Sequence, residues 1–212
     1  FGFGQSPFPI PKIIVEELKK NAQQKNYINV SGLIELRNLV AQYHTIKNKN
    51  NYTADNVIIG PGSKELIFHT QLVLDCDVLL PSPSWVSYEP QAKILNKKIH
   101  WIKTDATTNW HITPDELDKI SQNLHQVEKL LILNSPNNPS GTTHNNLEAL
   151  ALIAKKNNII VLSDEIYAEL DFSGKYKSMS HYYPEGTIIS SGLSKWCGAG
   201  GWRIGFLTFP KE

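Results

Sequence analysis

The sequence predicts an α/β fold: a mostly parallel sheet with helices on both faces. Three observations carry that expectation. Short apolar runs recur along the chain, separated by stretches of helical periodicity, which is the pattern of βαβ units. The runs are apolar throughout rather than alternating, as strands covered on both faces are. Several lead directly into turns rich in Gly, Pro, Ser or Asn, and in such sheets ligands bind beyond the carboxyl ends of the strands.

The elements follow in chain order. Pro7, Pro9 and Pro11 give an extended lead-in, since proline fixes φ and removes a backbone donor. Helices are expected from about Lys12 to Ala22 and from about Leu33 to Tyr43, and Lys47-Asn48-Lys49-Asn50-Asn51 reads as a solvated loop. The strand Val57-Ile58-Ile59 leads through Gly60-Pro61-Gly62 into a helix from Ser63 to about Asp75. Val78-Leu79-Leu80 leads through Pro81-Ser82-Pro83 into a helix after Ser84. Leu130 to Leu133 leads into the turn Asn134-Ser135-Pro136-Asn137-Asn138-Pro139-Ser140-Gly141. A helix from about Asn145 to Lys156 follows, with Leu147, Leu150, Ala151 and Ala154 on one face. Ile159 to Leu162, Thr187 to Ser190 and Arg203 to Phe209 read as further strands. There is no internal repeat and no low-complexity segment.

Composition narrows the function. A length of 212 residues allows one large domain or one and a half. Lys plus Arg is 21 against 20 Asp plus Glu, a balance that argues against a dedicated nucleic-acid binder. No apolar run approaches the roughly 18 residues of a membrane span. The two cysteines, Cys76 and Cys197, stand in no metal-ligand spacing, so disulfide scaffolds and zinc clusters are not expected. A reducing compartment, the cytoplasm, is the expected location.

The usual dinucleotide, P-loop, serine-hydrolase and zincin signatures are absent: Gly198, Gly200 and Gly201 approach G-x-G-x-x-G, but Arg203 holds the sixth position. The segment Ser191 to Gly205 instead carries Lys195 and Arg203 eight positions apart in a glycine-rich stretch between strands. A lysine in an enclosed site can lose its proton and attack a carbonyl to form a Schiff base. An arginine grips phosphate with its forked guanidinium. A ligand bearing an aldehyde and a phosphate would use both residues, and pyridoxal 5'-phosphate is such a ligand.

Gly192-Leu193-Ser194-Lys195 and Gly201-Trp202-Arg203-Ile204-Gly205 resemble the pyridoxal-phosphate attachment signature of the class I and II aminotransferases, which are fold type I enzymes. The resemblance runs over essentially the whole chain. It implies a three-layer α/β/α domain around a mostly parallel sheet of about seven strands. It makes Lys195 the Schiff-base and proton-transfer residue and Arg203 a phosphate ligand. Ser163-Asp164-Glu165-Ile166-Tyr167 looks like the family's D-E-x-Y element, with Asp164 against the pyridine nitrogen and Tyr167 on the ring's phenolic oxygen. Asn134 to Gly141 resembles its N-P-x-G turn, with Asn138 on the same oxygen and near substrate. Trp85, in Pro83-Ser84-Trp85-Val86-Ser87-Tyr88, resembles the aromatic that stacks on the ring and borders the substrate. Gly62-Ser63-Lys64 looks like the phosphate cup at a helix N-terminus, with Lys64 contributing its backbone N–H and Ser63 also readable as an N-cap.

At the N-terminus, Phe1-Gly2-Phe3-Gly4-Gln5 resembles the segment whose second glycine, Gly4, lies near the substrate carboxylate. Tyr27 resembles the tyrosine that reaches the phosphate of a partner subunit, the alternative being a half-buried packing residue. Many members carry Ser three residues before the lysine, where this chain has Gly192 and offers the neighbouring Ser194 instead. His69, His100, His111 and His181 stand in no catalytic constellation.

The resemblance divides the chain into residues 1–50, with substrate and dimer contacts, and a large cofactor domain over 51–212. A C-terminal small domain with the substrate-carboxylate arginine has no counterpart here, so the chain reads as a fragment not competent alone. The function implied is amino transfer between an amino acid and a 2-oxo acid in a homodimer, with no nucleic-acid or membrane partner. Lyases, aminocyclopropane-carboxylate synthases and decarboxylases share the same Lys, Asp and Arg. A non-catalytic aminotransferase-like domain of a regulator is the alternative from another class.

Overall fold

A computed structural model describes residues 4–124 and 128–210. Seven strands form one sheet: β1 (Val57–Gly60), β2 (Asp77–Ser82), β3 (Ile99–Lys103), β4 (Lys129–Asn134), β5 (Ile159–Asp164), β6 (Thr187–Gly192) and β7 (Gly205–Thr208). Their order is β1-β7-β6-β5-β4-β2-β3, with β7 antiparallel to both neighbours and every other pair parallel. Among the described residues six α-helices accompany it: α1 (Lys12–Asn21), α2 (Ile34–Asn48), α3 (Ser63–Val73), α4 (Tyr88–Ile94), α5 (Pro114–Gln122) and α6 (Leu147–Lys156).

The pleat sends successive side chains of each strand to opposite faces. On β4, Leu130 and Ile132 join Val78, Leu80 and Leu162 beneath α3 and α4. Leu131 and Leu133 join Leu79 and Val161 beneath α5 and α6. The apolar stripe expected on α6 is the stripe that is buried: Leu147, Leu150, Ala151 and Ala154. Each such leucine stabilises the layer by about 1.5–3 kcal/mol. At the β1 edge, Val40 and Ala41 of α2 pack with Val57, Ile189 and Phe206.

Some elements differ from the sequence reading. The second helix runs to Asn48, past the expected end at Tyr43. His44 fits edge-on between Tyr52 and Phe206, and Asn48 is buried, so the helix continues until Lys49 takes the left-handed conformation. The expected solvated loop is therefore confined to Lys49, Asn50 and Asn51, with Lys49 and Asn51 exposed and Asn50 Nδ2 donating to Ser180 O at 2.8 Å. Arg203 is not part of the last strand but stands just ahead of it with φ 55°. Two elements lacked an expectation. Strand β3 is an edge strand flanked by lysines, and α5 carries a capped start in which Thr113 Oγ1 accepts from the Glu116 N–H.

Candidate active site

The carboxyl edge of the sheet gathers most of the candidate residues. Asp164 closes β5, in register with Asn134 of β4 and Ser190 of β6. Its side chain is buried, with 3% of the residue exposed. Oδ1 accepts the Ile166 N–H at 3.2 Å, and Oδ2 accepts the Tyr88 hydroxyl at 2.6 Å. Burial pushes the Asp164 carboxyl up to about 6, opposed by those two donors and by the nearby charge of Lys195.

Tyr167 lies one turn further on. Burial raises its hydroxyl above the usual tyrosine value, as does the Asp164 charge, while a hydrogen bond with Asn138 acts the other way. Asn138 is held from below, its backbone N–H donating to Asn134 Oδ1 at 2.7 Å. Asn134 Nδ2 donates to the Asp164 carbonyl at 2.9 Å. One buried amide therefore ties the turn of Asn138 to the strand end of Asp164. Lys195 Nζ lies 5.6 Å from the Tyr167 ring centre and donates to the Gly4 carbonyl at 2.8 Å. The N-terminal segment thus reaches the lysine at Gly4, while Phe1 to Phe3 lie outside the described residues.

A second group sits at the start of α3. Gly62 is the N-cap, with φ 98°, a conformation that side-chain-bearing residues rarely adopt. A Cβ there would lie 2.1 Å from Arg203 Nη2, so the guanidinium occupies the space the glycine leaves open. The left-handed turn at Arg203 brings the side chain to that position, and Nη1 donates to the Gly200 carbonyl at 2.8 Å. Ser63 is the first helical residue, not the N-cap, so its hydroxyl does not close the helix end. The first N–H groups of α3 are therefore left pointing past Gly62 beside a cation, the arrangement that binds anions.

Three glycines stand side by side across β1, β7 and β6: Gly60, Gly205 and Gly192. A Cβ on Gly205 would lie 2.3 Å from Ser63 N, so this glycine lets the start of α3 rest on the sheet. A Cβ on Gly192 would lie 2.5 Å from the Ile204 carbonyl oxygen. A side chain would collide with backbone at that position, which gives a packing reason for the glycine. Ser194 stays half-buried beside Lys195.

Trp85 is half-buried, with its ring edge-on to Tyr88 at 5.3 Å. Lys64 does not simply extend into solvent: its Nζ lies 5.6 Å from the Trp85 ring centre, a cation–π placement. Tyr27 is fully exposed, which removes the packing alternative within this chain. The sequence reading assigned nothing to Tyr88 or Asn134. The available signal was position: a tyrosine one helical turn after Trp85, and a polar residue ending an otherwise apolar strand.

The residues fit pyridoxal 5'-phosphate at three points. The Gly62 cradle with Arg203 suits a phosphate, the buried Asp164 carboxylate suits a protonated ring nitrogen, and the Lys195 amine suits an aldehyde. The family profile described as aminotransferase class I and II matches residues 1–212. An aspartate aminotransferase of Pyrococcus horikoshii is 33% identical over 220 residues, covering 100% of this chain and 55% of that protein. An asparagine–oxo-acid transaminase of Streptococcus mutans is 30% identical, covering 99% of this chain and 56% of that protein. The solved aspartate aminotransferase of Thermus thermophilus with maleate aligns with a TM-score of 0.90 at 29% identity, over 98% of this chain and 56% of that one. The chain spans a little over half the length of these relatives. A match over all 212 residues, on a fold that aligns over nearly its whole length with a solved aminotransferase, means that this chain belongs to the class I and II aminotransferase family.

Proposed function

We propose that this chain is the cofactor-binding part of a pyridoxal-phosphate-dependent aminotransferase that moves an amino group between an amino acid and a 2-oxo acid. The observation that carries the reading is the Arg203 guanidinium lodged against Gly62 at the start of α3, on the edge that also presents Lys195 and Asp164. Bound pyridoxal phosphate supplies an aldehyde that condenses with amines and a ring that takes up carbanion electrons.

The chain's own residues do the rest. Arg203, Ser194 and the first N–H groups of α3, at Ser63 and Lys64, would hold the phosphate beside Gly62, whose own N–H donates to the Gly60 carbonyl at 2.8 Å. Trp85 fixes the ring plane, and Tyr167 with Asn138 hydrogen-bonds the phenolic oxygen. Asp164 would hold the proton on the ring nitrogen. Lys195 Nζ would take the proton from the substrate Cα and deliver it two atoms along, to the carbon that the cofactor's aldehyde supplies. Gly4, already in contact with Lys195, lies beside the incoming amino acid together with Trp85 and Asn138.

The assay that tests this uses the full-length protein with cofactor, aspartate and 2-oxoglutarate. Glutamate formed in step with loss of aspartate is the expected result. Ammonia and pyruvate released from an amino acid, without transfer, would place the protein among the lyases instead.

Replacing Gly62 by alanine tests the cradle. The new Cβ displaces Arg203 and strains a backbone with positive φ, at a cost of about 1–3 kcal/mol. Fluorescence titration with pyridoxal phosphate is expected to show binding at least about tenfold weaker. Unchanged affinity would mean that the phosphate sits elsewhere.

The exposed apolar side chains support a homodimer with the site at the interface. Helix α1 buries none of its residues, and Tyr27, Val30 and Leu39 are open to solvent. A covering surface from a second copy would bring the Tyr27 of each protomer to the other's phosphate. Light scattering on the full-length protein is expected to give twice the chain mass, and a monomer with full activity would contradict it. Two buried free thiols, Cys76 and Cys197, suit the cytoplasmic location we propose.

A further inference from the structure

We infer that Tyr88 is a positioning residue that keeps the proton of the ion pair on the cofactor's ring nitrogen instead of on Asp164. The inference rests on the cofactor reading above and adds a residue that no motif assigned.

The geometry is specific. The Tyr88 hydroxyl lies 2.6 Å from Asp164 Oδ2, with Tyr88 1% exposed and Asp164 3% exposed. The hydroxyl can act there only as the donor while Asp164 is ionised, because an ionised carboxylate has no proton to give. Burial and the Asp164 charge hold the Tyr88 proton in place far above the ordinary tyrosine range. The donor is therefore present at every working pH. The ring of Tyr88 is fixed in turn by Trp85 edge-on and by its place at the first turn of α4 in the core.

The carboxylate in question is expensive. It is buried, and its other oxygen receives a single backbone N–H at 3.2 Å. Left with that donor alone, a buried carboxylate prefers the neutral form. A proton shared between a carboxylate and a pyridine nitrogen resides on the more basic of the two. Tyr88 lowers the basicity of Asp164 by stabilising its anion, so the proton stays on the ring and the ring keeps its positive charge. Each carboxylate oxygen has two acceptor positions, so Oδ2 can accept from Tyr88 and from the ring nitrogen together. Lys195 and Tyr167 are the other titratable groups felt at this pair. Neither donates a hydrogen bond to Asp164, which leaves Tyr88 as its side-chain donor among the described residues.

The test reads the proton directly. Full-length wild type, Tyr88→Phe and Asp164→Asn are loaded with pyridoxal phosphate carrying nitrogen-15 in the ring, and the ring-nitrogen chemical shift is measured at neutral pH. Wild type is expected at the protonated position, and Asp164→Asn supplies the unprotonated reference. A hydrogen bond to a charged group is strong enough to move such a partition by about tenfold to a hundredfold. Tyr88→Phe is accordingly expected to shift toward the unprotonated reference. A wild-type shift in folded, cofactor-saturated Tyr88→Phe would overturn the inference while leaving the cofactor reading intact. A wild type that binds no pyridoxal phosphate would overturn both. Should Tyr88→Phe not fold, 4-aminophenylalanine at the same position keeps the ring and offers a weaker donor. Its shift is expected between the two limits, and coincidence with wild type would again overturn the inference.

Discussion

Lys195→Ala is expected to abolish amino transfer, lowering turnover by about 10⁴-fold, the upper range for a proton-transfer group. The reason lies in the site's inventory. Among the described residues, Lys195 Nζ is the amine placed against the Gly4 carbonyl and near the Tyr167 ring. Lys64 is also close to the edge, but its amine rests over the Trp85 ring. Alanine therefore removes both the covalent anchor and the base, with no neighbour to replace either. Because the side chain is only half-buried and its one hydrogen bond is to the exposed Gly4 carbonyl, stability should change little. Steady-state kinetics and a thermal melt of the same sample separate the two effects.

Asp164→Asn is expected to move activity and stability in opposite directions. Turnover should fall by about a hundredfold to a thousandfold, the usual loss when one preorganised electrostatic group is removed. Stability of the cofactor-free protein should rise. The folded-state carboxyl titrates near 6, above its unfolded value of 3.8, so folding favours the protonated form. The stability this group lends is present below the unfolded value and is lost as pH rises through about 6. At pH 7 the buried charge costs about 3 kcal/mol, a shift of about two pH units at 1.36 kcal/mol each. Asparagine keeps the shape and an acceptor for Tyr88 without the charge. Melting curves should place the variant above wild type at pH 7 and level with it near pH 4. Equal melting at both values would mean that the native site already compensates the charge.

The strands that position the site were legible because they are apolar throughout. Leu130–Leu133 and Ile159–Leu162 are buried on both faces, and burial leaves no room for a polar residue until the carboxyl edge. The edge strand β3 was not legible, since Ile99-His100-Trp101-Ile102-Lys103 has one face toward solvent and lysines before it. Helix α5 was missed because few apolar side chains mark it, chiefly Leu117 and Ile120, although Thr113, Pro114 and Glu116 spell its start. In the site, the residues proposed to meet a ligand came from motifs, while the ones that hold those residues did not. Tyr88 and Asn134 act across distances of 76 and 30 residues in sequence, and no local pattern reports such contacts. Gly60, Gly192 and Gly205 make sense only once the sheet order sets them side by side.

The most direct measurement is chemical trapping of the cofactor. The full-length protein is incubated with pyridoxal phosphate, reduced with borohydride, digested and mapped by mass spectrometry. The account predicts one modified lysine, Lys195, at one cofactor per chain. Stable labelling of another lysine such as Lys64, or no label in a folded and saturated protein, would contradict it.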